Sequence, residues 1–308
     1  MAKQLSPSTI PHLLLLAVVF VWGATFVLVK DALQDISPLL FNLLRMSLAF
    51  LALAIVNHRQ LRSISRRSLI SGIIVGVFLA AGYQFQTAGL ALTTPAKSAF
   101  ITGLVVVFVP LFTLVPALRS PNTQPPRWTA ALGAFFAFSG LLLLTTPAGT
   151  SFQNLFTSIG IGDLLTLVCS IAFAGHLLSL AHTSHRVPTG QLATLQIGVA
   201  ALIIAITLPL AGRPHLTVTP RLIIALAITS LLATAAAFTI QSWSQQHLPP
   251  THTAILLTLE PVFACLTSFL VLHEHLGTRS LLGATLILAG IACIELLSAA
   301  HPLPLHQD

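Results

Sequence analysis

The sequence predicts an all-α polytopic membrane protein with ten transmembrane helices in two inverted-topology repeats of five. Three observations predict it. The 308 residues are 55% hydrophobic and only 7% charged, with a mean hydropathy of +0.93. A soluble chain is roughly a quarter charged, so this chain has too few polar groups to cover a surface facing water. Apolar runs long enough to span a bilayer recur ten times along it. A short pattern also returns: "LGAFFAFSG" at 132–140 and "LGATLILAG" at 282–290 share Leu-Gly-Ala and a final Gly at an offset of 150 residues.

In chain order the runs are 12–30, 38–57, 69–90, 97–118, 128–147, 159–181, 190–211, 221–243, 251–272 and 279–298. The breaks between them carry Pro, Asn, Gly or charge, as in "DALQDISP", "NHRQLRSISRRS", "RSPNTQPPR", "GRPHLTVTP" and "HEHLGTR". None is long enough for a soluble domain, so the chemistry lies in or beside the bilayer. The first run is longer than the core of a cleavable signal and reads as a retained helix. "PLF" at 110–112 and "PVF" at 261–263 add a second match, at an offset of 151. The repeats cover residues 1–148 and 159–298, and 299–308 form a short cytoplasmic tail. Five is odd, so the second repeat enters from the opposite side, which implies a two-fold axis in the membrane plane. Halves that can exchange conformation give inward-open and outward-open states by symmetry.

Net charge is +7, but the cations sit in the breaks, most densely in "HRQLRSISRR" at 58–67. This is the signature of a cytoplasmic loop and argues against a nucleic-acid partner. With the N-terminus inside, Lys3, Arg59, Arg62, Arg66, Arg67, Arg119, Arg127 and Arg186 fall inside, and Lys30, Lys97, Arg213, Arg221 and Arg279 outside. The second half alone votes weakly the other way. The 58–67 loop decides for both termini in the cytoplasm, in a bacterial inner (plasma) membrane. Cys169, Cys265 and Cys293 all lie in apolar runs and read as inert packing.

"WGATFVLVK" (22–30), "NLLRMSLAFLAL" (42–53), "SAFITGLVVVFVPLF" (98–112) and "LTLEPVFACLTSFLVLHEHLGTRSLLGATLILAGI" (257–291) resemble the EamA type of the drug/metabolite transporter superfamily. The resemblance covers nearly the whole chain and rests on the order, spacing and duplication of the segments. It implies ten helices in two inverted repeats, cytoplasmic ends, and export or exchange of small metabolites, often amino acids, through a central cavity. One departure stands out. "TPAKSAFITGLVVVFVP" before Pro110 is longer than "PPTHTAILLTLEP" before Pro261, so cavity residues do not transfer between halves by simple symmetry.

Glu260 is the leading candidate for the cavity. A carboxylate within an apolar run costs about 3 kcal/mol unless it meets water or a partner. Pro261 beside it, like Pro110 in the first half, is expected to notch its helix and free a backbone carbonyl. Packing against a neighbouring helix is the other reading of Glu260. Arg45 is its natural partner, placed either to snorkel toward the outer face or to hold a substrate carboxylate in a fork of hydrogen bonds. Tyr83, Gln84 and Gln86 form a polar cluster of which at most two can share a face. Trp22, Gln241 and Trp243 add aromatic and amide surface, the tryptophans also being read as interfacial belt residues. His176 is a proton carrier or a histidine bonded to a neighbouring helix. The expected partners are a small-molecule substrate, the lipid bilayer, a coupling proton and a second copy in a homodimer, with no cofactor and no metal. "HEHLG" at 273–277 offers three metal-ligand types, but one short loop seldom brings three ligands together.

The absence of a GxxxxGK[ST] motif leaves no direct drive by ATP. The reading is therefore a secondary carrier of amino acids or related metabolites working by alternating access. Broad drug efflux is the alternative within transport. An intramembrane enzyme is the alternative outside it, although Glu260, His176 and Glu295 sit on separate helices without catalytic spacing.

Overall fold

A computed structural model describes residues 9–118, 128–145, 159–247, 256–257 and 259–299. Arg119, Arg127, Lys3, most of the 251–258 stretch and the tail beyond 299 lie outside the described residues. Every regular element among those described is helical: α1 (Thr9–Ala32), α2 (Pro38–Val56), α3 (Arg66–Leu92), α4 (Pro95–Thr102), α5 (Val105–Phe112), α6 (Trp128–Thr145), α7 (Ile161–Thr183), α8 (Thr189–Thr207), α9 (Pro220–Ser230), α10 (Ala237–His247), α11 (Glu260–Leu272) and α12 (Thr278–Ala299). A π-helical segment, Leu231–Ala236, joins α9 to α10. Seven spans are long and apolar enough to cross a membrane, with α4–α5 and α9–α10 each counted as one, and α6, α11 and α12 contribute shorter apolar stretches.

The starts of the helices follow from local sequence. Ser-Pro at 37–38 and Thr-Pro at 94–95 and 219–220 each put proline in the first turn, where a missing N–H costs nothing. Thr94 and Thr219 also cap their helices by accepting from Lys97 N and Leu222 N, and Ser65 caps α3 by accepting from Ser68 N. Asp163 accepts from Gly160 N at the start of α7 and is held by Lys97 Nζ at 2.7 Å.

Three predicted helices differ in detail. The fourth, expected as one run over 97–118, is broken into α4 and α5 at Gly103–Leu104. Ser170 Oγ takes the Ile101 carbonyl at 2.6 Å, and Gly103 packs so closely on the Pro261 ring that a Cβ there would come within 2.9 Å of it. The break expected at Pro110 does not occur, because α5 runs through that residue. The eighth, expected over 221–243, extends to His247 through the π segment. In the ninth, residues 256–257 are helical, Leu259 is a turn and α11 begins at Glu260, so the run is interrupted just before Pro261, which sits in the first turn of α11.

α3 packs on α7 and α8, α1 on α11 and on the α9–α10 span, α4 and α5 on α7, α2 on α8 and on the α9–α10 span, and α6 on α12. The "GIIVG" stretch does bring α3 close to α8: Gly72 meets Leu195, and Gly76 meets Gln196 O and Val199. α6 and α12 approach backbone to backbone. A Cβ on Gly140 would fall 2.5 Å from Gly283 O, one on Gly283 would fall 2.6 Å from Gly140 O, and one on Gly290 would fall 2.5 Å from Gly133 O. Because 140 meets 283 while 133 meets 290, these two helices run antiparallel.

At one end of the bundle the turn after α1 is stitched to the loop before α9. Ile36 and Leu216 form an isolated antiparallel bridge, with Thr217 N donating to Asp35 O at 2.7 Å and Ser37 N to His215 O at 3.2 Å. Arg221 grips Asp35 with both Nε (2.9 Å) and Nη2 (2.7 Å), and Thr219 donates to the same carboxylate. At the other end Gln191 Nε2, at the start of α8, donates to Gln60 O and Ser63 O of the loop between α2 and α3.

Gly283→Ala should lower stability by about 1–3 kcal/mol, since backbone cannot move aside for the methyl group. Gly277→Ala, with nothing within 4 Å of the new Cβ, should be neutral. Thermal unfolding of the two variants in one detergent checks the difference.

Candidate functional site

The constraint that shapes the interior is Arg45. It lies midway along α2 and is 3% exposed, so it does not snorkel outward as its sequence position allows. The reason is a set of acceptors supplied by the π segment. Widening the turn there leaves carbonyls without their usual helical donors. Ala233 O accepts from Arg45 Nη2 at 3.3 Å and from Trp22 Nε1 at 2.9 Å. Thr234 Oγ1 accepts from Arg45 Nε at 2.7 Å while donating to Thr229 O, five residues back. Tyr83 OH accepts from Arg45 Nη2 at 3.1 Å, and the guanidinium carbon sits 4.4 Å from the centre of the Tyr83 ring. Every hydrogen-bond partner of this cation named here is neutral.

Beside Arg45 is a cavity of about 80 Å³. Of the residues singled out by sequence, Glu260, Arg45, Trp22, Tyr83, Gln86, His176 and Gln241 line it, as do Thr25, Phe173 and Phe238. The expected ion pair between Arg45 and Glu260 is not made. Both reach the same cavity, yet Arg45 is satisfied by hydroxyls and a carbonyl, and Glu260 has no hydrogen-bond or ion-pair partner among the described residues. His176 Nε2 pairs with Gln196 Oε1 at 2.9 Å, a bond to the neighbouring α8, with the ring edge-on to Phe173 and Phe238.

Other candidates lie elsewhere. Tyr83 and Gln86 are three residues apart and share a face of α3. Gln84 turns away and accepts from Thr207 Oγ1 at 2.8 Å, tying α3 to the end of α8. Trp243 stacks at 4.3 Å on His247 near the end of α10, outside the cavity. Pro110 lies on α5, also outside the cavity wall, and Pro261 is buried against Gly103. In "HEHLG", Glu274 takes Ser268 Oγ and Ala96 N, and His275 packs edge-on to Phe269. Among the described residues no three His, Cys, Asp or Glu side chains are grouped to hold a metal.

The structure adds residues that sequence reasoning passed over. Asn42 is fully buried, donates to Tyr83 O at 2.8 Å and accepts from Thr87 Oγ1 at 3.1 Å, so it fixes α2 against α3 next to Arg45. Asn42 stands three residues before Arg45, on one helix face, and that spacing in an apolar run was the available signal. Thr234 carried no such signal, because only the π turn gives its hydroxyl a special position.

The cavity within this apolar bundle is thus lined by one cation, Arg45, and one carboxylate, Glu260. The EamA-like transporter family model matches the chain twice, over residues 9–146 and 160–296. The chain belongs to the EamA-like transporter family. Like its relatives it is an integral membrane protein. It is 30% identical over 279 residues to an "uncharacterized transporter" of Archaeoglobus fulgidus, covering 91% of this chain and 83% of that protein. It is 26% identical to the "uncharacterized transporter YoaV" of Bacillus subtilis, covering 90% and 94%. It is 24% identical to the WAT1-related protein At3g02690 of Arabidopsis thaliana, covering 90% of this chain and 67% of that protein. A solved crystal structure shares the fold with a TM-score of 0.67 at 17% identity, covering 95% of this chain and 98% of the other. The chain is thus a membrane transporter with a small-molecule substrate.

Thr234→Val keeps the shape of the side chain but leaves Arg45 Nε without its shortest partner. It should lower stability by about 1.5–3 kcal/mol, the worth of a hydrogen bond to a charged group. Thr239→Val, whose hydroxyl only bonds back to Ala235 O, should cost much less in the same unfolding assay.

Proposed function

We propose that this EamA-like transporter is a secondary carrier of amino acids or closely related zwitterions, working by alternating access in a bacterial plasma membrane. The observation that carries the reading is the pair of opposite charges, Arg45 and Glu260, that line one cavity without neutralising each other. A zwitterion supplies an ammonium for Glu260, which has no partner among the described residues, and a carboxylate that gives Arg45 a charged acceptor beyond its neutral ones. The aromatic wall of Trp22, Phe173 and Phe238 would take its side chain. At about 80 Å³ the cavity is well below the roughly 300–1,000 Å³ of sites for drug-sized ligands. This favours a small solute over broad drug efflux.

The mechanism rests on two inverted five-helix units, 1–148 and 159–298, with ten crossings and the 299–308 tail, like the N-terminus, in the cytoplasm. The packing pattern supports it. Exchanging α1–α6 with α7–α12 in order, with α4–α5 and α9–α10 each taken as one span, turns α3·α7 into the observed contact of α9–α10 with α1. It also turns α3·α8 into α9–α10 with α2 and α4–α5·α7 into α11·α1, while α2·α8 and α6·α12 map onto themselves. A two-fold axis relating the antiparallel α6 and α12 runs across both helices, hence in the membrane plane. The repeat-equivalent glycines, 133 and 283 in one pair and 140 and 290 in the other, meet around it crosswise, Gly140 against Gly283 and Gly133 against Gly290.

Alternating access then requires the Asp35–Arg221 latch to part. Arg221, with help from Thr219, holds the Asp35 carboxyl below the usual carboxylate range. A depressed value means the contribution is present above the ordinary carboxylate pKa and is lost only as pH falls through the lower folded value. The latch therefore stays charged across physiological pH, and opening follows from movement of the halves. Coupling to a proton falls to Glu260, whose carboxylate faces the cavity.

Amino acids should raise the melting temperature of the purified protein by mass action, about 2.7 kcal/mol at a hundredfold excess over Kd. The matching amine or carboxylic acid alone should not, and Glu260→Gln should abolish the response to the zwitterion. A bound amino acid should also cross proteoliposomes unchanged. No shift with any amino acid, or equal shifts with the monofunctional analogues, would overturn the substrate assignment.

A further inference from the structure

Eight buried side-chain oxygens have no hydrogen-bond partner among the described residues; besides those of Ser37, Ser98 and Ser230, five, on Ser184, Gln191, Gln241, Ser244 and Gln245, lie from the cavity toward the end of the bundle that carries the 58–67 loop. Each such atom costs about 1–3 kcal/mol if it stays dry. Buried water typically resolves this, making about three hydrogen bonds to groups of this kind.

Three of the five share one side of α10. Gln241 lines the cavity, and Ser244 and Gln245 follow it at the three- and four-residue spacing of a helix face. A polar chain also runs from the cavity wall to α10: His176 bonds Gln196 at 2.9 Å, and Gln196 Nε2 reaches Ser242 Oγ at 3.4 Å. At the outer end Gln246 Nε2 donates to Ser184 O at 2.6 Å, and both residues line a surface pocket of about 380 Å³ formed with 185–188. From Gln241 to Gln246 is about 7.5 Å along the helix at 1.5 Å per residue. In the other direction, from Thr234 to the latch at Arg221, it is about 20 Å of mostly apolar helix.

We propose that a file of ordered water joins the central cavity to the 184–188 pocket along α10, and that protons reach the cavity through it while the Asp35–Arg221 latch closes the opposite face. The titratable groups facing the cavity are Glu260, His176, Tyr83 and Arg45. Between Gln241 and Gln246 no α10 residue carries a formal charge, so this stretch would pass water and protons without competing for the solute; His185 and Arg186 line the pocket at its outer mouth. The inference holds or fails independently of which solute is carried.

The test uses silver ion, which follows narrow aqueous paths and blocks thiols. In the full chain with Cys169, Cys265 and Cys293 replaced by serine, Ser244→Cys and Ser184→Cys are compared with Ser170→Cys, a buried position bonded to Ile101 O away from the lane. Each protein is exposed to silver in chloride-free buffer, quenched and unfolded, and its remaining thiol is counted with a maleimide. Gel filtration and melting temperature establish that each variant is folded. A thiol without a water path reacts only through local opening. Both lane positions should therefore be blocked at least about tenfold faster than Ser170→Cys, a factor corresponding to 1.36 kcal/mol of barrier. Adding Gln245→Leu should slow Ser244→Cys toward the control. Equal rates at lane and control positions, or no effect of Gln245→Leu, would overturn the proposal.

Discussion

Placing a guanidinium in the middle of an apolar helix costs about 2.5–3.5 kcal/mol even on the mildest scales, and the interior of this protein is organised around offsetting that cost at Arg45. The π turn at Leu231–Ala236 turns a carbonyl and a threonine hydroxyl toward α2, Tyr83 brings a ring and a hydroxyl from α3, and Trp22 of α1 shares the same carbonyl. Four spans from both halves of the chain thus meet at one cation. The cavity lies beside it, and its polarity is a by-product of the groups that make the charge tolerable.

The second constraint is close approach of helices. A lipid environment gives no hydrophobic drive for one apolar helix to pack on another, so contact depends on small residues that let backbones touch. The glycines of α6 and α12 do this in antiparallel register, at the seam the two proposed units share. The ends of the bundle are then closed differently. One end has a bidentate ion pair and a strand-like bridge. The other has amide-to-carbonyl bonds.

The class of protein was legible from composition, and the places of the spans from apolar runs and their Ser-Pro and Thr-Pro starts. The meeting of "LGAFFAFSG" with "LGATLILAG" was foreshadowed only as a repeat; that the two segments touch is a fact of packing. Arg45, Tyr83, Gln86, His176, Gln241 and Glu260 could be picked out because a polar group in an apolar run needs a reason. Their partners could not. Arg45 was paired in expectation with Glu260, because two opposite charges are the simplest solution, whereas the structure satisfies Arg45 with neutral groups that only a π turn exposes. Pro110 misled, since α5 runs through it and Gly103 supplies the break in the first half instead.

Under the proposed alternating access the two halves part at the Asp35–Arg221 face for a solute to cross, and joining them there tests this. Ile36 and Leu216 are bridge partners, and antiparallel partners lie about 4.5–5.5 Å apart at Cα, within reach of a disulfide. With the three native cysteines removed, Ile36→Cys/Leu216→Cys protein is reconstituted, and exchange of labelled for unlabelled solute is measured before oxidation, after it and after reduction. Exchange should stop on oxidation and return on reduction. Undiminished exchange through the cross-linked protein would contradict the parting of the halves.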